Sequence, residues 1–290
     1  FFPNFFIFYQ NNKRICIYIK NYYKIYIICF IYKYSFKYLK KKDNKMFLEE
    51  KFLAFAHRGG NESAPENSFL AFKNAVNIGY KYLETDVHLT KDGYLIAFHD
   101  NTLDRVTDKN GLIKDLTLSE IKKAKINGKE EIPLLLDLLD SFPNCFFNID
   151  CKVDETVQPL VDLIRDRSLI DRVCIGSFSQ KRINYIRKSL GRDVKTSMGP
   201  AEVILSKFLS FTSLNYNFKS SYTSIPIERY GIKLLDKRNI NYLKSNNQKV
   251  IAWTINKEDE MKTLIKMGVD GIMTDNLTLL KSVLIEESLW

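Results

Sequence analysis

The first 45 residues of the chain lack five residue types that ordinary folded domains use throughout. They contain no Gly, Ala, Val, Glu or Thr and consist mainly of Phe, Ile, Tyr, Lys and Asn. Their longest charge-free apolar run, from Ile25 to Tyr32, is far shorter than the ~20 residues needed to span a bilayer. The short apolar core and small-residue cleavage site of a signal peptide are missing as well. We therefore interpret residues 1–45 as an atypical basic, aromatic leader and not as a domain.

Two interpretations of this leader stay open. The chain starts at Phe1, whereas Met46 falls immediately before residues of ordinary composition, so residues 1–45 are explained as translated upstream sequence that the native protein does not contain. Alternatively, basic and aromatic side chains of this kind attach a chain to a membrane surface. Any membrane contact is expected to involve the leader alone, and we expect the functional domain to be residues 46–290.

Residues 46–290 lack the surplus of positive charge that nucleic-acid binding requires. The leader holds ten of the 44 Lys and Arg residues and one of the 34 acidic residues, which leaves 34 basic against 33 acidic residues in the remainder. A protein that neutralises phosphates along a duplex needs excess Lys and Arg. We therefore expect no nucleic-acid partner.

Paired cysteines are absent too. The domain has no Cys-x-x-Cys pair, and Cys145, Cys151 and Cys174 form an odd set in or beside strands. Because disulfides persist mainly in oxidising compartments, we expect none here and place the protein in the cytoplasm.

The first motif of the domain follows a short apolar run at 53–56, which predicts a buried strand. His57 and Arg58 come next, then a glycine pair at 59–60 that permits a sharp turn, and Pro65 predicts the start of a helix. Histidine titrates near neutral pH, and the guanidinium fork of arginine matches phosphate oxygens. One interpretation is that His57 and Arg58 carry out acid/base chemistry on a phosphate. The alternative is that His57 is a core histidine and Arg58 a surface charge.

A second strand, predicted at 82–90, places Glu84, Asp86 and His88 on one face. Two carboxylates at such a short distance repel each other, and a divalent metal ion, which binds oxygen ligands, would compensate their negative charge. A solvated strand edge is the alternative. His88 lies farther along the same face, and we expect a structural role for it.

The turn signal at 91–93 predicts that this strand pairs as a hairpin with the strand at 94–100, which ends in His99. Cleavage of a phosphodiester requires both removal and delivery of a proton, so a second histidine at a strand end is significant. The apolar strand at 145–152 carries Asp150 and Lys152, which a spacing of two places on one face.

Eight apolar runs, beginning near residues 53, 82, 145, 173, 194, 222, 249 and 271, alternate with helical patterns. This alternation predicts the α/β class and a (β/α)8 TIM barrel. The long interval after the second run predicts an insertion at about 100–143. It should contain helices at 119–125, opened by a capping pattern at Thr117 and Glu120, and at 134–141, and it would lie over the barrel mouth.

These motifs, in this order, resemble the glycerophosphodiester phosphodiesterase family of the bacterial cytoplasmic type. The resemblance covers residues 47–285 and includes HRG with PEN downstream, the E-x-D, HD and acid-x-Lys strands, and five further stretches: NTLDRVTDKNG, IPLLLDLL, SFS, AWTIN and GIMTD. It implies the barrel fold and the metal-dependent hydrolysis of small-molecule glycerophosphodiesters to glycerol 3-phosphate and an alcohol.

The resemblance also implies roles for individual residues. His57 and His99 would be the acid/base pair, and Arg58 and Lys152 would hold the phosphate oxygens. One divalent metal ion, calcium or magnesium, would be bound by Glu84, Asp86 and Asp150. Direct attack by water and a route through a cyclic phosphate both use these residues, and both stay open.

Asp150 departs from the family pattern, where a glutamate is usual. Loss of one methylene withdraws the carboxylate by about 1.5 Å, against a tolerance of ~0.2 Å on a metal–oxygen distance, so we expect altered metal affinity or preference. Two other activities stay open: a lysophospholipase D with a wider, more apolar mouth, and a lyase that stops at the cyclic phosphate.

Further residues are candidates for the pocket or its support. Ser177 and Phe178 are expected to line the mouth. Trp253 would form a pocket wall or pack in the core, and Glu66 would either cap the following helix or contact the site. We expect Asp275, which closes the last strand with Thr274, to anchor the start of the final helix.

Overall fold

The computed structural model of the protein describes residues 5–10, 13–19, 25–26, 49–212 and 214–290. The chain divides into two compact units, residues 1–46 and 47–290. In the first unit, strands β1 (Phe5–Gln10), β2 (Lys13–Ile19) and β3 (Ile25–Tyr26) pair in this order as an antiparallel sheet. Most of the apolar run that ends at Tyr32 lies outside the described residues. The origin and role of the leader stay predictions.

The second unit is built around a ring of eight parallel strands. Its strands, hairpins included, are β4 (Leu53–Ala56), β5 (Tyr82–Leu89), β6 (Leu95–Ala97), β7 (Lys125–Ile126), β8 (Glu130–Glu131), β9 (Phe146–Cys151), β10 (Val173–Gly176), β11 (Lys195–Thr196), β12 (Tyr222–Ile225), β13 (Glu228–Arg229), β14 (Ile232–Lys233), β15 (Lys249–Ala252) and β16 (Gly271–Thr274). The ring order is β11-β10-β9-β5-β4-β16-β15-β12, and a parallel bridge between Ser197 and Tyr222 closes it. The eight predicted apolar runs are therefore the eight strands of the ring.

Helices follow most strands of the ring and cover its outside. They are α1 (Phe69–Ile78), α2 (Leu118–Ile121), α3 (Leu135–Ser141), α4 (Val157–Asp166), α5 (Gln180–Leu190), α6 (Pro200–Leu209), α7 (Lys237–Ser245), α8 (Glu258–Met267) and α9 (Leu277–Glu286). Helix α1 begins later than Pro65 predicted, because the Ser68 side chain accepts a hydrogen bond from Ala71 N at 3.1 Å and sets its start. Among the described residues, no helix has the length and apolar character needed to cross a membrane.

Two apolar layers hold the barrel together. Strand residues that point outward pack against the helices in one large buried cluster. Residues that point inward fill the ring: Leu53, Phe55, Tyr82, Phe146, Cys174, Tyr222, Ile251 and Met273. Since both faces of the strands are buried, the strands are recognisable in the sequence as nearly continuous apolar runs. Cys145, Cys151 and Cys174 are free and buried.

The insertion after the second strand has an apolar core of its own. Strand β6 pairs antiparallel with β5, as the turn signal predicts. Buried side chains from β6 and from the segment 98–132 then form a separate cluster. The expected capping pattern is present, since Thr117 N donates to Glu120 Oε2 at 2.8 Å at the start of α2. The second predicted helix is α3, and an additional small hairpin, β7–β8, precedes it.

Candidate active site

The candidate site is a cavity of about 460 Å³ beyond the carboxyl ends of the barrel strands. In such barrels this end carries the functional residues, since each strand delivers its last side chains there. All seven residues assigned to proton transfer, phosphate binding or metal binding line this cavity: His57, Arg58, Glu84, Asp86, His99, Asp150 and Lys152. The fold therefore brings together residues that are almost one hundred positions apart in the sequence.

The turn after β4 positions the first two of them. Arg58 has φ of 52°, and the glycines that follow have φ of 79° and 82°. A Cβ on Gly59 would lie 2.9 Å from Phe72 N, and a Cβ on Gly60 would lie 2.7 Å from the side chain of Leu277. Because both positions combine a left-handed backbone with close neighbours, glycine is required for the chain to turn and to leave His57 at the cavity.

His57 is held by a carboxylate from the other end of the chain. Its Nδ1 lies 2.7 Å from Asp275 Oδ1, and its Nε2 lies 4.0 Å from Glu84 Oε2. Burial lowers the pKa of His57, but the hydrogen bond with Asp275 and the charge of Glu84 outweigh this effect and raise the pKa above its ordinary value. The carboxylate of Asp275 is oriented in turn by Asn256 Nδ2 at 2.8 Å.

The expectation for Asp275 was therefore wrong. The side chain that caps α9 is that of Asn276, whose Oδ1 accepts from Leu279 N at 3.2 Å, and Thr274 Oγ1 accepts from Asn276 N. The motif GIMTD carries the aspartate, but only the adjacency of β16 and β4 in the ring places it next to His57.

His99 is held by its neighbour in the sequence. Its Nδ1 lies 2.5 Å from Asp100 Oδ1, and Arg105 Nε donates to Asp100 Oδ2 at 2.5 Å. Burial raises the pKa of Asp100, but the hydrogen bonds with Arg105 and His99 outweigh it and lower that pKa. His88 Nε2 lies 3.0 Å from the backbone oxygen of His99, so His88 supports the strand end from below.

Three carboxylates occupy the base of the cavity on two adjoining strands. Asp86 and Asp150 are directly paired positions of β5 and β9. Lys152 Nζ lies between them, 2.8 Å from Asp86 Oδ1 and 2.7 Å from Asp150 Oδ2. Burial lowers the pKa of Lys152, but the charges of Asp150 and Asp86 raise it above its ordinary value, so the ammonium group stays charged.

Glu84 is less well compensated. Its Oε2 accepts a hydrogen bond from Arg58 N at 2.9 Å. Among the described residues, no ammonium or guanidinium group forms an ion pair with the Glu84 carboxylate. Burial and the nearby charge of Asp86 raise the pKa of Glu84 to about 7. A cation placed here would relieve this repulsion.

Three buried carboxylates supply the oxygen donors that a hard divalent cation prefers. Arg58 and Lys152 already neutralise part of their charge. Within the described residues, however, no three His, Cys, Asp or Glu side chains are grouped closely enough to hold a metal ion as they stand. Lys152 contacts two of the oxygen donors, so a metal ion and the ammonium group would compete for the same carboxylates.

Glu66 contacts the site and does not cap a helix. Its Oε1 accepts from Arg58 Nη1 at 2.9 Å and from Arg105 Nη2 at 2.6 Å. Arg105 therefore connects Arg58, through Glu66, to the carboxylate of Asp100. The motif NTLDRVTDKNG contains Arg105, but nothing in the sequence pattern predicts a role for it. Asn67 was missed in the same way; it donates to Asp86 Oδ2 at 3.3 Å.

The opposite side of the cavity is apolar. The rings of Phe178 and Trp253 meet edge to face with centroids 5.7 Å apart, and Met198 and Val203 continue the wall. Ser177 also lines the cavity and donates to Cys151 O at 2.8 Å. No residue of the segment 100–143, all of which the structure describes, lines the cavity. The insertion thus reaches the site through Asp100, which contacts His99, and through Arg105, and not as a cover over the mouth.

Comparisons with known proteins identify the family of the chain. Residues 57–279 match the Glycerophosphoryl diester phosphodiesterase family. The chain belongs to this family. A glycerophosphodiester phosphodiesterase of Caldanaerobacter subterraneus is 31% identical, over 78% of this chain and 95% of its own. A human lysophospholipase D is 28% identical, over 81% of this chain and 88% of its own.

Solved structures of the family share the fold. A phosphodiesterase of Oleispira antarctica, solved in complex with the product sn-glycerol 3-phosphate, has a TM-score of 0.68 and 24% identity, over 80% of this chain and 96% of its own. The expected glycerophosphodiester phosphodiesterase family, the (β/α)8 barrel and the enzyme class, a phosphoric diester hydrolase, are confirmed.

Proposed function

We propose that the protein hydrolyses glycerophosphodiesters to glycerol 3-phosphate and an alcohol, by proton transfer through two histidines and with a divalent metal ion. One observation carries this proposal. Two histidines, each bonded at Nδ1 to a carboxylate, face one cavity that is also lined by two basic and three acidic side chains. Membership of the family and the 31% identical phosphodiesterase support the substrate class.

The two cations would bind the phosphate oxygens. Arg58 and Lys152 both line the cavity, and both are held in place by carboxylates beneath them. Fixed positive groups of this kind stabilise the charge that develops on the phosphoryl oxygens, and they do so without a proton transfer. Arg58 adds a planar fork that can bind two oxygens together.

The two histidines would divide the proton transfers. Since each Nδ1 is bonded to a carboxylate, each imidazole keeps its Nε2 for the substrate. One ring accepts a proton from the nucleophile while the other delivers a proton to the leaving alcohol oxygen. The same pair serves for direct attack by water and for attack by the adjacent glycerol hydroxyl, in which case the two rings exchange roles when the cyclic phosphate opens.

Glu84, Asp86 and Asp150 would hold one divalent ion, calcium or magnesium. When bound, such an ion polarises the phosphoryl oxygens and offsets their negative charge. The carboxylate set and the raised pKa of Glu84 support a cation at this position. In its absence, the Lys152 ammonium neutralises part of the charge of Asp86 and Asp150.

The test is release of glycerol 3-phosphate from glycerophosphocholine by the purified chain. The protein is assayed after chelation and after calcium, magnesium or manganese is added back, with His57→Ala as the inactive reference. We expect release that a divalent ion restores. No release with any metal would overturn the proposed reaction, and full release after chelation would overturn its metal dependence.

A lysophospholipase D activity is the second candidate, because the cavity has an apolar wall that a bare glycerophosphodiester does not require. The 28% identical human protein carries that name. Lysophosphatidylcholine is therefore assayed in parallel, with phosphorus NMR of the products. A higher kcat/KM for the lysophospholipid would favour this second activity, and a cyclic phosphate as the final product would identify a lyase.

A further inference from the structure

Helix α6 carries apolar residues on two sides, and one set of them is partly buried against the barrel core: Val203, Leu205 and Leu209. Ser206 is its fully buried residue, whereas Ile204, Phe208 and the following Phe211 are 63%, 76% and 64% exposed. The spacing i, i+4 places Ile204 and Phe208 on one face of α6, and Phe211 follows in the turn after the helix, where its N donates to Phe208 O at 3.2 Å. Large apolar side chains that share an exposed face mark an interaction surface.

This face continues into the active-site cavity. Ile204 lines the cavity, and so do Tyr230 and Ile232 of the β13–β14 hairpin, which are 88% and 56% exposed. We name these five residues, Ile204, Phe208, Phe211, Tyr230 and Ile232, the apolar rim. Since three of them are shared with the cavity, a surface that covers the rim also covers the entrance to the site.

Basic side chains lie against the rim. The guanidinium group of Arg238 is 4.6 Å from the ring centre of Phe211, and that of Arg229 is 5.2 Å from the ring centre of Tyr230. Residues 203–238 contain six Lys or Arg and two acidic residues, although the domain as a whole is nearly balanced. Exposed aromatic residues together with basic residues are the combination that binds the interface of an anionic bilayer.

We propose that the apolar rim docks on the surface of an anionic lipid bilayer, so that the cavity opens toward the lipid headgroups. The rim side chains would enter the interface while the surrounding Lys and Arg contact lipid phosphates. The inference rests on the proposed function only for the role of the cavity. It places a membrane contact on the barrel itself, whichever interpretation of the leader holds.

The first test follows vesicle binding by the full chain. Phosphatidylcholine vesicles with and without phosphatidylglycerol are sedimented with the wild-type protein and with the double variant Phe208→Ser/Phe211→Ser. Neither residue lines the cavity. We expect at least about tenfold weaker partitioning of the variant into anionic vesicles, since two large apolar side chains are lost. The matched control is Tyr185→Ser/Ile285→Ser, which removes two exposed apolar residues from α5 and α9.

A second measurement locates the membrane contact on the chain, whether or not the leader also binds the vesicles. Hydrogen exchange is measured on vesicle-bound protein, and we expect protection of residues 200–211 and 228–233 but not of α9. Equal partitioning of the variant and the control, or no protection of residues 200–211, would overturn the proposal. Protection of the same face without lipid, at high protein concentration, would assign the rim to a second copy of the chain instead.

Hydrolysis of glycerophosphocholine separates this proposal from the proposed function. That substrate reaches the cavity from solution, so the double variant should hydrolyse it at the wild-type rate. A wild-type protein that binds vesicles through residues 200–211 but releases no glycerol 3-phosphate would refute the reaction and leave the docking surface intact.

Discussion

The two histidines of the cavity are held in the same way by very different parts of the chain. His99 is bonded to its immediate neighbour Asp100, whereas His57 is bonded to Asp275, 218 residues away. His99 is also the more open of the two, with 32% of its side chain exposed against 14% for His57. The pairing is thus local for one histidine and a product of barrel closure for the other, although the chemistry proposed for them is shared.

Removal of either imidazole should lower kcat more than any of the other substitutions. His57→Ala and His99→Ala each remove one proton transfer, and we expect kcat on glycerophosphocholine to fall by about 10²- to 10⁴-fold. Thermal unfolding should stay close to that of the wild-type protein, since neither ring belongs to an apolar cluster. A large loss of stability with little loss of kcat would show that the histidine in question has a structural role.

Removal of the carboxylate partners tests whether the two pairs are equivalent. In Asp275→Asn the carboxylate charge that raises the pKa of His57 is lost, so that pKa falls. If His57 is the base, the acidic limb of kcat/KM against pH moves to lower pH, while kcat falls by about 10- to 100-fold through poorer orientation. Asp100→Asn should lower kcat without this particular shift.

The control for this comparison is Asn256→Ala. It removes the hydrogen bond that orients Asp275 but keeps the carboxylate. We therefore expect a smaller fall in kcat, and the acidic limb of kcat/KM should stay at the wild-type pH. An acidic limb that does not move in Asp275→Asn would exclude His57 as the titrating base.

Arg105 tests the link between the insertion and the site. Its guanidinium group bonds both Glu66 and Asp100, and a lysine cannot make both contacts with the same geometry. We expect Arg105→Lys to lower kcat by about tenfold, because Asp100 loses part of its orientation. Arg167→Lys, at an exposed ion pair with Asp140, is the matched control and should leave kcat unchanged.

Most of the barrel could be predicted from the sequence, and the partners of the site could not. Buried parallel strands give continuous apolar runs, so all eight strands were found. Period-two alternation places Glu84 and Asp86 on one face of the second strand, and His99 lies at the end of the predicted strand 94–100. Asp275, Arg105 and Asn67 act through contacts that only the closed ring or the insertion creates. The rim was missed because Ile204, Phe208 and Phe211 form the pattern of a helix face that packs inward, and the sequence does not say which face is covered.

The smallest effect on activity is expected from a change at Asp150, the position where the sequence predicts altered metal affinity or preference. Asp150 and Asp86 share Lys152 between them, which fixes the shorter carboxylate close to its own strand. In Asp150→Glu the added methylene extends the oxygen donors by about 1.5 Å toward the cavity. We expect a several-fold change in the concentration of calcium or magnesium that restores activity after chelation, with kcat at saturating metal nearly unchanged.

Calorimetric titration of the metal into the chelated protein checks this prediction without reference to turnover. Asp154→Glu makes the same change at an exposed position outside the cavity and serves as the control. If Asp150→Glu binds every metal as the wild-type protein does, Asp150 is not a ligand, and its pairing with Lys152 is then its whole contribution to the site. Lys152 would in that case be fixed by two aspartates for phosphate binding, and the cation would depend on the other strand, through Glu84 and Asp86.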